Sequence, residues 1–120
     1  MDDPSELFDI DLNDAERDLL RCGINEWRGP ARCTDEMAVA MGFESVADLF
    51  AQSDRLIDVV VSGGAMSRRD WRRVLLASEI VFASNVVGSG IDWASTTGLS
   101  DADSIAILRR VQSKVLLGAR

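Results

Sequence analysis

The chain has 120 residues, 47% hydrophobic and 28% charged, with a net charge of −7, two cysteines and no histidine. That length lets one domain bury a core without disulfide or metal staples, and the composition is too apolar for general disorder. The missing histidine excludes Ser-His-Asp and Cys-His catalysis and His-ligated zinc within this chain, and the spacing of Cys22 and Cys33 matches no common metal site, so neither cofactor nor metal is expected.

The acidity sits at one end. The first sixteen residues hold seven acids and no base, whereas the remainder holds 13 of each. Residues 1–12 therefore read as an acidic N-terminal arm ahead of a helical domain at 13–120. Leu7, Phe8, Ile10 and Leu12 are interleaved with Asp9 and Asp11 in that arm. Such a segment can dock on a basic partner through Leu7, Phe8, Asp9 and Asp11, or tack onto its own core through Phe8 and Leu12.

Asn13 with Glu16 three positions on resembles a capping box and opens a helix to about residue 26, with Ala15, Leu19, Cys22 and Trp27 near one face. Gly29 and Pro30 stop it. Thr34 caps a short helix at 35–41, closed by Gly42. Ser45, with Asp48 three residues on, opens the next, in which Val46, Leu49, Phe50, Ile57 and Val60 share helical spacings, with Ser53 or Asp54 as a candidate break. The run of Val59, Val60 and Val61 suits a strand on propensity alone, but no second alternating run is available to pair with it. Ser67 with Asp70, flanked by Met66 and Trp71 at the staple positions, opens a helix expected at 68–87. From Val74 onward that helix is apolar on nearly all sides, as a covered central helix should be. Gly88, Ser89 and Gly90 end it. A linker with Ile91 and Trp93 follows, and Ser100 with Asp103 caps a last helix striped by Ile105, Leu108, Val111 and Val115. The expectation is an all-α fold, a compact single-domain bundle of five or six helices around a central apolar helix at 68–87.

No cationic start leads into an apolar run, and Ser78, Glu79, Ser84 and Asn85 interrupt the longest oily stretch, so no membrane span is expected. With two cysteines the expected compartment is the reducing cytoplasm. Twelve arginines against one lysine suggest a GC-rich bacterial genome.

Two binding signals stand out. Residues 34–51 fit part of a helix-turn-helix scaffold, with Met37, Ala38, Met41, Gly42 and Phe43 at suitable offsets. Its second helix offers Glu44, Ser45, Asp48 and Gln52, which would face phosphates with negative charge. The other signal is Arg68, Arg69, Trp71, Arg72 and Arg73 around Asp70. Arginine forks onto carboxylates and stacks on aromatics, and Arg with Trp is enriched in binding hot spots. The sequence is thus read as a non-enzymatic protein-protein interaction module of inhibitor, immunity, antitoxin or adaptor type, acting through the acidic arm, the Arg/Trp-rich helix start, or both. The alternative is a DNA-associated regulator using 34–51. An enzyme built on Glu79, a lone acid between Ser78 and Ile80, or on Cys33, between Arg32 and Thr34, ranks third. A second copy of the chain is a further possible partner, since a core-like helix face can equally meet its own kind.

Overall fold

A computed structural model describes residues 5–29 and 31–118. Its helices are α1 (Asp14–Asn25), α2 (Asp35–Ala40), α3 (Val46–Ser62), α4 (Arg68–Ala83), α5 (Trp93–Thr97) and α6 (Asp101–Gly118), and 3-10 turns at Glu26–Arg28 and Gly90–Asp92 extend α1 and lead into α5. This is the expected all-α bundle, with six α-helices among the described residues. Two short strands join it: β1 (Leu7–Phe8) pairs antiparallel with β2 (Met66–Ser67).

Five of the helices start where a capping residue precedes the apolar pattern, the last being α6, where Ser100 accepts from the Asp103 N–H at 3.1 Å. Asn13 accepts from the Glu16 N–H at 2.9 Å, and Glu16 accepts in return from the Asn13 N–H at 2.9 Å, a complete capping box. Thr34, Ser45 and Ser67 accept from Met37, Asp48 and Asp70, each bond satisfying one of the orphan donors of a first turn. Met66 and Trp71, the staple pair around Ser67, are both buried.

The core lies between α1 and α4, which pack on each other, with α3 against α1 and α6 against both. The central place expected of α4 is therefore shared with α1. The two helices approach at Gly23, where a Cβ would stand 2.2 Å from Ser78 Oγ and 2.8 Å from Ser78 Cα. Ser78 can be buried there because its hydroxyl donates to the Val74 carbonyl at 2.9 Å.

Three indoles fasten separate segments to this core. Trp27 donates to the Ala77 carbonyl, Trp71 to the Phe8 carbonyl and Trp93 to Ser104 Oγ, at 2.9, 2.9 and 2.8 Å. All three rings are buried, so each N–H has to find a partner inside. Phe82 meets the Trp93 ring edge-on, with centroids 5.5 Å apart.

Local departures from the expected elements have identifiable causes. α3 runs unbroken through the candidate break at Ser53, whose buried hydroxyl donates to the Leu49 carbonyl at 2.6 Å, whereas Val59–Val61 is helical up to Gly63 as expected. α4 stops at Ala83, four residues before the expected end, because the Ser84 hydroxyl accepts from the N–H groups of Val86 and Val87 and Ser89 N–H turns back to the Val81 carbonyl. On α1 the inward position of the first turn is Glu16 rather than Ala15, and on α6 it is Ser104 rather than Ile105. Among the described residues no helix is long and apolar enough to cross a membrane.

Candidate functional site

The arm is built into the fold over its described part. The β1–β2 ladder and the bond from Trp71 hold Phe8, while Ile10 and Leu12 are buried. Leu7 is 61% exposed, Asp9 and Asp11 face solvent, and the Arg68 guanidinium lies 5.3 Å over the half-buried Phe8 ring. Arm and basic helix start thus meet each other. Residues 1–4 of the expected arm lie outside the described residues.

The arginine-rich start of α4 divides by depth. Trp71 is 1% exposed and Arg73 6%, so these two expected partner-binding residues face inward, a correction to their place in the candidate surface. Arg73 Nε donates to the Gly42 carbonyl at 2.8 Å, its Nη1 to Asp70 at 3.1 Å, and its guanidinium covers the Phe43 ring at 4.8 Å. Its charge is spent on locking α4 to the turn between α2 and α3. Asp70 also receives Arg55 Nη1 at 2.8 Å. Burial pushes the Asp70 carboxyl upward, and the hydrogen bonds and charges of Arg55 and Arg73 outweigh that, leaving it below the ordinary carboxylate value. Arg68 is half-buried; Arg69 and Arg72 are exposed.

Two clefts flank these outer arginines. One, of about 410 Å³, lies between Val39–Gly42 and the start of α4, walled by Arg68, Arg69, Arg72 and Leu76. The other, of about 610 Å³, lies between α4 and α6, with Arg68, Arg72 and Leu75 on one wall and Arg109, Val115 and Leu116 on the other. Arg68 and Arg72 belong to both.

The helix-turn-helix-like unit keeps its scaffold. Ala38, Met41 and Phe43 are buried, and Gly42 turns the chain at φ +100°, a conformation that L side chains rarely adopt. The face at the start of α3 is acidic: Asp48 accepts from the Glu44 N–H at 2.9 Å and from Gln52 at 3.2 Å, bonds that hold its carboxyl below the ordinary value. Arg55, the next cation along α3, is committed to Asp70 and Gln52.

The candidate catalytic groups are engaged otherwise. Glu79 is half-buried and accepts from Gln112 at 2.6 Å. Burial pushes both thiols up, Cys22 and Cys33 alike, with Asp35 adding to the effect at Cys33, so the surroundings of Cys33 oppose the thiolate that a nucleophile there would need. Among the described residues no group of three or more His, Cys, Asp or Glu could hold a metal ion.

Two buried acids escaped the sequence reading. Glu16 is 0% exposed and accepts from Lys114 Nζ at 2.6 Å and Arg110 Nε at 3.2 Å, both from α6. Glu26, also buried, accepts from Ser89 at 2.7 Å and from Thr96, drawing the end of α1 to the crossover before α5. The capping-box spacing located Glu16; nothing in the sequence pointed to its partners ninety-odd residues away. Comparison with protein-family models, curated proteins and solved structures gave no match.

Proposed function

We propose that this protein is a non-catalytic protein-interaction module, of inhibitor, immunity, antitoxin or adaptor type, whose binding surface is the outer side of the basic start of α4. The observation that carries the reading is the position of Arg68 and Arg72 in the walls of two clefts, one on either side of the helix. Guanidinium groups beside cavities with apolar walls offer a partner both carboxylate recognition and a place to bury side chains, the combination that concentrates binding energy in hot spots. Asp9, Asp11 and exposed Leu7 on the docked arm supply a neighbouring rim of opposite charge, which favours one orientation of approach. The DNA-associated reading has less to support it, because the α3 start carries Glu44 and Asp48 and its nearest arginine is paired.

The test is affinity recovery from nuclease-treated native host lysate, followed by reconstitution with the purified partner, comparing the native chain with Arg69→Glu/Arg72→Glu. A stoichiometric protein lost with the double variant supports the module. Recovery of nucleic acid alone, and only without nuclease, transfers support to the regulator reading; a protein held equally by both chains removes this surface from consideration.

A further inference from the structure

The arm crosses the bundle as a layer of its own. From Phe8 to Leu12 exposure alternates residue by residue: Phe8 is half-buried and Ile10 and Leu12 are buried, while Asp9 and Asp11 face solvent. That period of two belongs to an extended chain laid on a surface by one side. Beneath it, the edge of β2 pairs with the arm, Phe8 opposite Met66 and Leu7 opposite Ser67. The Trp71 indole donates to the Phe8 carbonyl at 2.9 Å, and the Arg68 guanidinium lies over the Phe8 ring. Further along, Ile10 lies against the end of α6, where a Cβ at Gly118 would stand 3.1 Å from Ile10 Cγ1.

The strand edge and the indole N–H engage main-chain groups, so they serve any extended chain in the right register. The seats of Phe8, Ile10 and Leu12 then select apolar side chains at every second position. This is the division of labour in recognition by strand addition, where backbone bonds supply affinity and alternate side-chain pockets supply specificity.

The arm is also separable from what it covers. The packing of α1, α3, α4 and α6 is made between the helices themselves. β1 is two residues long, and so short a ladder is marginal by itself. The root of the arm is held independently of that ladder: Arg17 Nε donates to the Leu12 carbonyl at 3.0 Å and its Nη1 to the Val60 carbonyl at 3.3 Å, and Asn13 caps α1. The chain ahead of Leu12 can therefore lift from a fixed hinge, as segments with few buried contacts do before a fold opens globally.

We infer that the cradle of β2, Trp71 and Arg68 is a strand-binding site that the arm fills in cis, and that the arm gives way there to an extended segment of a partner protein. The seated arm specifies that segment: an aromatic residue, then aliphatic residues at every second position, with polar residues between. The inference extends the reading of the protein as an interaction module and needs neither Arg69 nor Arg72.

The probe is a fluorescent, end-capped peptide with the sequence of residues 5–12, and its control has the same composition with the alternation scrambled. Anisotropy reads binding to the native full chain and to full-length Phe8→Ser/Ile10→Ser, whose own arm holds the cradle poorly. If circular dichroism shows the double variant unfolded, Phe8→Ser alone, at a half-buried position, takes its place. The peptide should bind the variant at least about tenfold tighter than the scramble does. It should also bind the variant at least about tenfold tighter than the native chain, where the arm competes at an effective concentration on the order of millimolar. A peptide no tighter than its scramble, or bound equally by both chains, overturns the inference, and so does a single variant that unfolds, because the arm is then part of the core. Sedimentation of the native chain as a dimer that Phe8→Ser abolishes gives the cradle to a second copy's arm and overturns the partner assignment. Failure of the peptide alongside capture of a lysate protein that depends on Arg69 and Arg72 leaves the module standing without this site.

Discussion

Taking away the acid of the Glu16 cluster and taking away its cations should have unequal costs. The Glu16 side chain is 0% exposed, whereas those of Arg110 and Lys114 keep 49% and 38% exposure. In Glu16→Gln the two half-solvated cations return to water and an amide oxygen remains for the Asn13 N–H. The loss should be about 1–2 kcal/mol, the scale of a hydrogen bond to a charged group. In Arg110→Ala/Lys114→Ala a carboxylate is left in the interior with one backbone N–H, and stranding one member of a buried pair costs about 3–5 kcal/mol. For a domain of this size those losses correspond to melting-point drops of roughly 5 °C and roughly 15 °C.

The pH dependence gives a second readout on the same variants. Burial pushes the Glu16 carboxyl up, but Lys114, the Asn13 N–H and Arg110 together bring it below its ordinary value. A carboxyl whose folded pKa is depressed contributes stability above its unfolded value, about 4.3, and loses it as pH falls through the folded value. The gap between native chain and Glu16→Gln should therefore be full at pH 6–7 and close on acidification below about 4. Urea denaturation followed by circular dichroism measures both effects. A cation double variant no less stable than Glu16→Gln, or a gap constant from pH 7 to pH 3, would refute the account of this cluster.

Gly23→Ala should lower stability by about 3 kcal/mol, since its Cβ meets Ser78 backbone as well as side chain, and Ser78→Gly in the same chain should restore part of the loss; no restoration in thermal melts would mean the helix crossing is not the cause. Arg73→Ala, which leaves the Gly42 carbonyl without its donor and Asp70 with Arg55 as its remaining arginine, should cost about 2 kcal/mol, while Arg72→Ala one position away should stay within about 0.5 kcal/mol in the same denaturation assay. Cys33, with its thiol pushed up, should react with iodoacetamide at pH 7.5 more slowly than free cysteine and gain rate as pH rises; a rate already at plateau at neutral pH contradicts the assignment.

What was legible in the sequence was chiefly local. Cap residues and their third neighbours located the starts of α1, α2, α3, α4 and α6, because a cap and its orphan donor lie within one turn of each other. Helical periodicity identified Leu19, Leu49, Val60, Val74, Val111 and Val115 as interior. It misplaced the inner position of α1 and α6 by one residue, since a carboxylate and a hydroxyl at Glu16 and Ser104 are inward-facing only by virtue of Lys114, Arg110 and Trp93, partners supplied by tertiary packing. The arginine cluster was visible as composition, but not its division between Arg73, facing the Phe43 ring, and Arg69 and Arg72, facing solvent. The arm could be read either way, because whether acidic and aliphatic residues dock depends on a surface sixty residues further along the chain.

The three tryptophans also make the molecule readable from within. Each indole N–H is bonded to a different segment: Trp71 to the arm, Trp27 to the middle of α4, Trp93 to the start of α6. In a proton spectrum they give three side-chain signals, one for each joint of the bundle. Because the rings are shielded from water, their hydrogen–deuterium exchange times the opening of those joints separately, distinguishing an arm that lifts, a helix pair that parts and a C-terminal helix that peels away, all without an added label.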